Sequence, residues 1–319
     1  MNFDILEKYN IKESKINKVN QGYINDVWDI TTLENRFILK RFNKVDKEKL
    51  NYLLSIEDSL LNLCPNIIKN ISGELCTELD NTELYVLYEF VIGRHLNRSD
   101  VTPELAKDIG GYLGKLHKKL FNIGQHMDKN YLSSLHISAP KINEITELLE
   151  ENSNEKSCAR LLKNKLKILG EFDYNEINSF MSQLPLQIVH GDFYLDNLIY
   201  TKNNEWKIID FEQSGLFYKE YEIARALFMI CYNNDDTEQY NFEKVSKFLD
   251  GYKESNDISD LKNVIKLFLY SLANSLYCFK DWENLSLEKR EYALYRNNMM
   301  MWIYDNLTNI VEYNGKNDK

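Results

Sequence analysis

His190-Gly191-Asp192-Phe193-Tyr194-Leu195-Asp196-Asn197, followed after a short gap by Lys207-Ile208-Ile209-Asp210-Phe211, is the stretch on which the fold turns. It sets a carboxylate at 192, a carboxamide at 197 and a second carboxylate at 210, the last closing an apolar run. Around these residues, Leu186-Gln-Ile-Val189 and Trp206-Lys-Ile-Ile209 read as short buried strands, and Asn203-Asn204 supplies a turn between residues 198–200 and 206–209. The three oxygen-bearing side chains are therefore expected on loops braced by strands. Any one of these short motifs alone is weak, because Asp and Asn make turns and caps everywhere; order, spacing and strand context together carry the reading.

That reading is phosphoryl transfer from a metal-bound nucleotide. A hydroxyl attacking a phosphoryl group needs an acceptor for its proton and an anchor that holds it in line, and a loop carboxylate supplies both. Asp192 is the candidate base. Charge developing on the phosphate oxygens is neutralised mainly by Mg2+, a hard ion that takes oxygen ligands, so Asn197 and Asp210 are the candidate metal ligands.

On these residues the chain resembles the aminoglycoside phosphotransferase and choline kinase superfamily, the small-molecule relatives of the protein kinases. In that family His-Gly-Asp replaces the His-Arg-Asp of protein kinases, and Ile-Asp-Phe or Ile-Asp-Trp replaces Asp-Phe-Gly. Gly191 and Phe211-Glu212 take the small-molecule form here. With no arginine before Asp192, the resemblance implies a site assembled without a phosphorylated activation loop. It implies an α+β, bilobal protein-kinase-like fold, with a small mixed β-sheet lobe at residues 1–92 and a larger, mostly helical lobe at 93–319. The helical lobe carries an inserted helical segment at about 138–183, read as helices over residues 142–150, 159–170 and 174–184.

The upstream half offers matching parts. Residues 16–21, 26–32 and 36–42 look like three strands, and Lys40 ends the apolar triplet Phe37-Ile38-Leu39, placed to reach nucleotide phosphates. A helix over residues 47–63, with Leu50, Leu53, Leu54, Leu60 and Leu61 as its buried stripe, carries Glu57, which the family pattern makes the partner of Lys40. A solvated glutamate on an exposed face is the other reading of Glu57. Between the first two strands stands a single glycine, so the handclasp of a Gly-rich loop is absent; Gly22 and Asn25 are either phosphate contacts or an ordinary hairpin connection. The run 84–90 reads as a buried strand leading into a hinge, where backbone groups of Glu89 and Val91 are the candidates to read a purine. Thr102-Pro103-Glu104 starts a helix whose Gly110, Gly111 and Gly114 call for close packing against a neighbour. His117 on that helix and His190 both read as structural, and Glu222 as a brace.

Composition limits the alternatives. With 44% hydrophobic and 28% charged residues over 319 positions, the chain can build two lobes with real cores. Five scattered cysteines without a Cys-x-x-Cys point to reduced thiols and a cytoplasmic protein, and neither a leader segment nor a long apolar run suggests a membrane. A formal charge of −10 disfavours nucleic acid and favours cationic small molecules. In the final helices Tyr277, Asp281, Trp282 and Glu283 suit an amine-bearing ligand, although aromatics at helical spacing are usually core and such carboxylates usually face water. The expectation is a kinase using ATP or GTP with Mg2+, whose partners are the nucleotide and a small-molecule acceptor. An aminoglycoside or amino sugar leads as acceptor, with choline, ethanolamine or homoserine as alternatives. A noncatalytic spore-coat-type relative is the rival class, and the oligomeric state stays open.

Overall fold

The computed structural model describes residues 4–19, 25–43, 45–79, 83–127, 132 and 137–317, so Gly22 lies outside the described residues. They divide into two compact units. The first holds Met1–Leu96, Lys118–Ser133 and His190–Gly215, and the second holds Asn97–His117, Ser134–Val189 and Leu216–Lys319.

The first unit begins with the one-turn α1 (Asp4–Glu7) and is built on a sheet of β1 (Lys15–Val19), β2 (Asp26–Thr31), β3 (Arg36–Phe42), β4 (Ile67–Ile68), β5 (Thr77–Leu79) and β6 (Glu83–Glu89). The helix α2 (Lys47–Ser59) follows β3. Strand order is β1-β2-β3-β6-β4, with β5 also pairing β6, and the pairings between these strands are antiparallel. Alternation puts Trp28, Ile30, Leu39, Tyr85 and Leu87 into one apolar cluster with Ile5, Leu6 and Tyr9 of the amino-terminal segment. Phe42, Leu84 and Val86 join Leu50 and Leu54 of α2 in a second cluster. Register also pairs charges: Arg41 stands opposite Asp26 and hydrogen-bonds it, while its other branch reaches Glu83 at 2.7 Å.

Asp46 caps α2 by accepting from the Glu48 and Lys49 N–H groups. The helix ends four residues earlier than its apolar spacing suggests, at Ser59, followed by a single 3-10 turn at Leu61–Leu63. Leu61 takes a left-handed backbone with φ 49, which no α-helix can continue, and its side chain is 62% exposed instead of joining the stripe.

A smaller sheet orders β7 (Gly93–Arg94), β9 (Leu198–Thr201) and β10 (Trp206–Ile208) as β10-β9-β7. Gly93 is required there, because a Cβ would sit 2.6 Å from the Tyr200 carbonyl oxygen.

The second unit is mostly helical: the part of α3 (Pro103–Gly124) up to His117, then α4 (Ile142–Glu151), α5 (Lys156–Glu171), α6 (Tyr174–Gln183), α7 (Lys219–Cys231), α8 (Glu238–Lys253), α9 (Leu261–Asn274) and α10 (Leu287–Asn317). The strands β8 (Leu186–Val189) and β11 (Gly215–Tyr218) pair with each other. The expected packing against the glycines of α3 is with α8: a Cβ on Gly110 would lie 2.0 Å from the Phe248 carbonyl oxygen, and one on Gly251 would lie 1.9 Å from that of Lys107. His117 is fully buried between Glu222 (2.8 Å from Nε2) and the Tyr252 hydroxyl (2.9 Å from Nδ1), a structural histidine. Glu222 thus braces α7 to α3.

Candidate active site

Asp192, Asn197, Asp210 and Lys40 all belong to the first unit, so their geometry can be built within it. Lys40 sits on β3 opposite Val27 of β2 and Val86 of β6. Its ammonium lies 3.1 Å from Asp210 Oδ1 and 2.5 Å from Glu212 Oε1. Burial opposes the ammonium charge, but the two carboxylates outweigh it and the Lys40 pKa is raised. For Asp210, burial favours the neutral acid, and the charge and hydrogen bond of Lys40 reverse that, leaving its pKa lowered. Two carboxylates sharing one ammonium give a site with net negative field, which attracts a further cation.

The backbone places these groups by strain. Asp210 has φ 70 and ψ 69, a left-handed conformation that costs a non-glycine residue about 1–2 kcal/mol and that Asp tolerates better than most. Its neighbour in the chain, Ile209, donates its N–H to the Asn197 carbonyl oxygen at 3.0 Å, at the open end of the β9–β10 pair. That bond brings the segment bearing Asp210 beside Asn197. The Asn197 amide nitrogen donates to the Asp192 carbonyl oxygen (2.9 Å) and to its carboxylate (3.1 Å), which leaves the amide oxygen as the Asn197 side-chain atom suited to a cation.

His190 ties the same loops. The Asp192 N–H donates to Nδ1 (3.2 Å), and Nε2 lies 3.1 Å from the Ile209 carbonyl oxygen, which can only accept. Nδ1 is therefore the acceptor and Nε2 the N–H donor, which makes the ring a neutral clamp. Its edge packs on Phe211 at 4.6 Å, and Ser214 Oγ donates to its carbonyl oxygen at 3.2 Å. Gly191 completes the join: it has φ +82, and a Cβ there would lie 2.1 Å from the Gln213 carbonyl oxygen. No other residue fits where the 190–192 loop crosses the 210–213 loop.

Other expected site residues take different places. Glu57 is 5% exposed, and burial pushes its carboxyl up to about 8 against the pull of the Lys40 charge. The Tyr88 hydroxyl donates to it at 3.3 Å. Among the described residues the ion pairs of Lys40 run to Asp210 and Glu212 and not to Glu57, whose burial favours the protonated carboxyl. Glu212 was the residue to which the sequence reading gave no role; its spacing, two positions after Asp210 on a tight turn, was the available signal. Asn25 is bound to that same carboxylate through Nδ2, and its Oδ1 accepts from the Asn43 N–H at 3.2 Å. The Glu89 N–H donates to the Asn66 carbonyl oxygen (2.9 Å), so that donor is already taken within the protein.

Among the described residues no group of three or more His, Cys, Asp or Glu is placed to hold a metal ion unaided. An amide oxygen and one carboxylate nonetheless fit a hard divalent ion that also takes phosphate oxygens from its substrate.

In the second unit, Trp282 is 3% exposed and stacks on Phe279 at 5.8 Å, a core residue and not part of a ligand-facing surface. Asp281 accepts from Asn284 Nδ2 at 2.7 Å, and the Glu283 carbonyl oxygen accepts from Arg290 at 2.9 Å. Tyr277, 56% exposed, lies 5.9 Å from the Arg296 guanidinium. All five cysteines are free thiols, and among the described residues no helix is long and apolar enough to cross a membrane.

The model of the Phosphotransferase enzyme family matches residues 15–254. A homoserine kinase of Zymomonas mobilis subsp. mobilis is 24% identical over 246 residues, 75% of this chain and 72% of that relative. Among solved structures, an amicoumacin kinase in complex with AMP-PNP, Ca2+ and Ami aligns at a TM-score of 0.63 and 17% identity, covering 94% of this chain and 93% of that one. An aminoglycoside phosphotransferase from Alicyclobacillus acidocaldarius subsp. acidocaldarius gives 0.65 at 12% identity, with 98% and 95% covered. At such identities the structural matches speak to the fold, which is α+β and protein-kinase-like.

Proposed function

This chain belongs to the phosphotransferase enzyme family and is a kinase; on that premise we propose that it moves the γ-phosphate of ATP to a hydroxyl of a small amine-bearing molecule, an amino alcohol such as homoserine or an amino sugar. The observation that carries the reading is the linked set Lys40, Asp210 and Glu212, with Asp192 and Asn197 hydrogen-bonded in the same unit. A structural relic has no physical need for two carboxylates converging on a half-buried lysine in the same unit as a hydrogen-bonded Asp-Asn pair. The amine-bearing class rests on relatives named for homoserine and aminoglycosides and on the chain's net charge of −10.

In the proposed reaction the acceptor oxygen bonds to the γ-phosphorus as the bond from that phosphorus to the β-phosphate oxygen breaks, and ADP leaves. Asp192 takes the hydroxyl proton and holds the oxygen in line, its own orientation fixed by Asn197 Nδ2 and by the clamp of His190 on its N–H. Lys40 supplies positive charge to the phosphates. Asp210 and the Asn197 amide oxygen are the residues that would hold Mg2+, which neutralises charge on the transferring group. Glu57, within reach of the Lys40 field, is a third carboxyl able to orient that lysine once its proton is lost.

The test is ATP-dependent phosphorylation across homoserine, choline, ethanolamine and a set of aminoglycosides, run beside Asp192→Asn. Turnover with an amine-bearing acceptor, reduced about 10²–10⁴-fold in the variant with nucleotide binding intact, is the expected result. Near-normal turnover in Asp192→Asn would remove that carboxylate from its role.

A further inference from the structure

Lys40 and Asn25 share one face of the sheet in the first unit. In the β2–β3 register Lys40 stands opposite Val27, so Asn25, one residue before β2 and two before Val27, falls on the face that carries Lys40. Phe42 continues that face, with its ring centre 4.9 Å from the Lys40 ammonium. The Asn25 amide is held at both ends. Its Oδ1 accepts from the Asn43 N–H at 3.2 Å, a place an amide nitrogen could not fill, and this turns Nδ2 toward Glu212. Nδ2 donates to Glu212 Oε1, the same oxygen that lies 2.5 Å from the Lys40 ammonium. Two donors from one sheet face thus converge on a single carboxylate oxygen of the 3-10 turn Phe211–Gln213. Of the carboxyl groups near Lys40, Asp210 is the one given to a cation in the proposed reaction, and burial favours the protonated form of Glu57. Glu212 is the one free to stay on the ammonium.

Given the kinase reading of this site, we propose that Asn25 is a positioning residue that holds Glu212 on Lys40 and so fixes where the ammonium points when the phosphates of a nucleotide arrive. Without the amide, Glu212 keeps its tie to a lysine whose own stem is flexible, and the pair loses its fixed end on the sheet. Asparagine suits this place because it offers an acceptor to a backbone N–H and a donor to a carboxylate from one rigid group. Aspartate has the same shape but only acceptors. Asn25→Asp therefore keeps the bond to the Asn43 N–H and turns the bond to Glu212 into a like-charge clash. Combining Asn25→Asp with Glu212→Gln exchanges donor and acceptor, which restores the hydrogen bond and leaves the net charge as it was.

Calorimetric titration of the full chain with AMP-PNP and Mg2+, with no acceptor present, tests this apart from turnover. Asn25→Asp is expected to weaken binding about tenfold or more beside Glu212, and by less than about threefold when Glu212→Gln is already in place. Asn25→Ala, which introduces no charge, should show the same dependence on background with a smaller loss. Wild-type affinity in both single variants at position 25 would reduce Asn25 to closing the end of the β2–β3 pair. An equal loss in both backgrounds would make it a direct phosphate contact; either result overturns the proposal. A wild-type protein that does not bind AMP-PNP overturns the kinase reading and the proposal together, a failure seen before any variant is compared.

Discussion

Two glycines with the same backbone angle separate the cost of strain from the cost of contact. Gly191 has φ +82 and Gly73 has φ +81, but a Cβ at Gly73 meets nothing within 4 Å, whereas one at Gly191 meets the Gln213 carbonyl oxygen at 2.1 Å. Gly73→Ala should therefore cost only the left-handed backbone penalty, about 1–2 kcal/mol. Gly191→Ala carries that penalty and must also open the crossing of the two loops, since ordinary contact begins near 3.4 Å and the overlap is 3.4 − 2.1 = 1.3 Å. Overpacking of this kind adds about 1–3 kcal/mol, so the total is about 2–5 kcal/mol. The same displacement acts on catalysis, because Asp192 follows Gly191 and Asp210 lies on the opposing loop; a misplacement of about 1 Å costs about 100-fold in rate. Urea denaturation of both variants, with turnover measured on the acceptor that the wild-type protein uses, gives both numbers. Equal stability loss in the two variants, or wild-type turnover in a folded Gly191→Ala protein, would refute the claim that the two loops bear on each other at this point.

The pH dependence of stability should report Glu57. Its carboxyl titrates near 4.5 when unfolded and near 8 when folded, so between those values the folded state holds a proton that the unfolded state lacks, and stability falls as pH rises. Glu57→Gln should flatten the decline in urea midpoint between pH 5 and pH 8; parallel curves for the two proteins would contradict the buried, proton-holding carboxyl. Asn197→Ala removes both the amide oxygen offered to a cation and the brace on Asp192, and should raise the Mg2+ concentration for half-maximal turnover about 10–100-fold. An unchanged Mg2+ curve would take Asn197 out of the metal site.

Much of the first unit was legible because strand chemistry is local. Alternating apolar residues and turn signals fixed β2 and β3 to within a residue, and the turn at Asn203-Asn204 joins β9 to β10 as expected. The spacing of Asp192, Asn197 and Asp210 announced its chemistry because phosphoryl transfer needs oxygen donors held on braced loops. The end of α2 was not legible, because Leu61 keeps an apolar side chain while its backbone turns left-handed, and pattern reports side chains only.

Which carboxylates meet Lys40 was decided by tertiary structure alone. Sequence offered Glu57 by its place on a helix, but partner choice depends on desolvation and distance, and burial holds Glu57 protonated while Asp210 and Glu212 take the ammonium. The carboxylates near Tyr277 suggested a cationic ligand, yet Tyr277 borders a small recess lined by Lys165 and Arg296, residues 131 positions apart in the chain and joined only by the packing of α5 on α10. Residue type sets what a side chain can do chemically. Folding sets which other side chains share its space, and the energy of a charge depends on both.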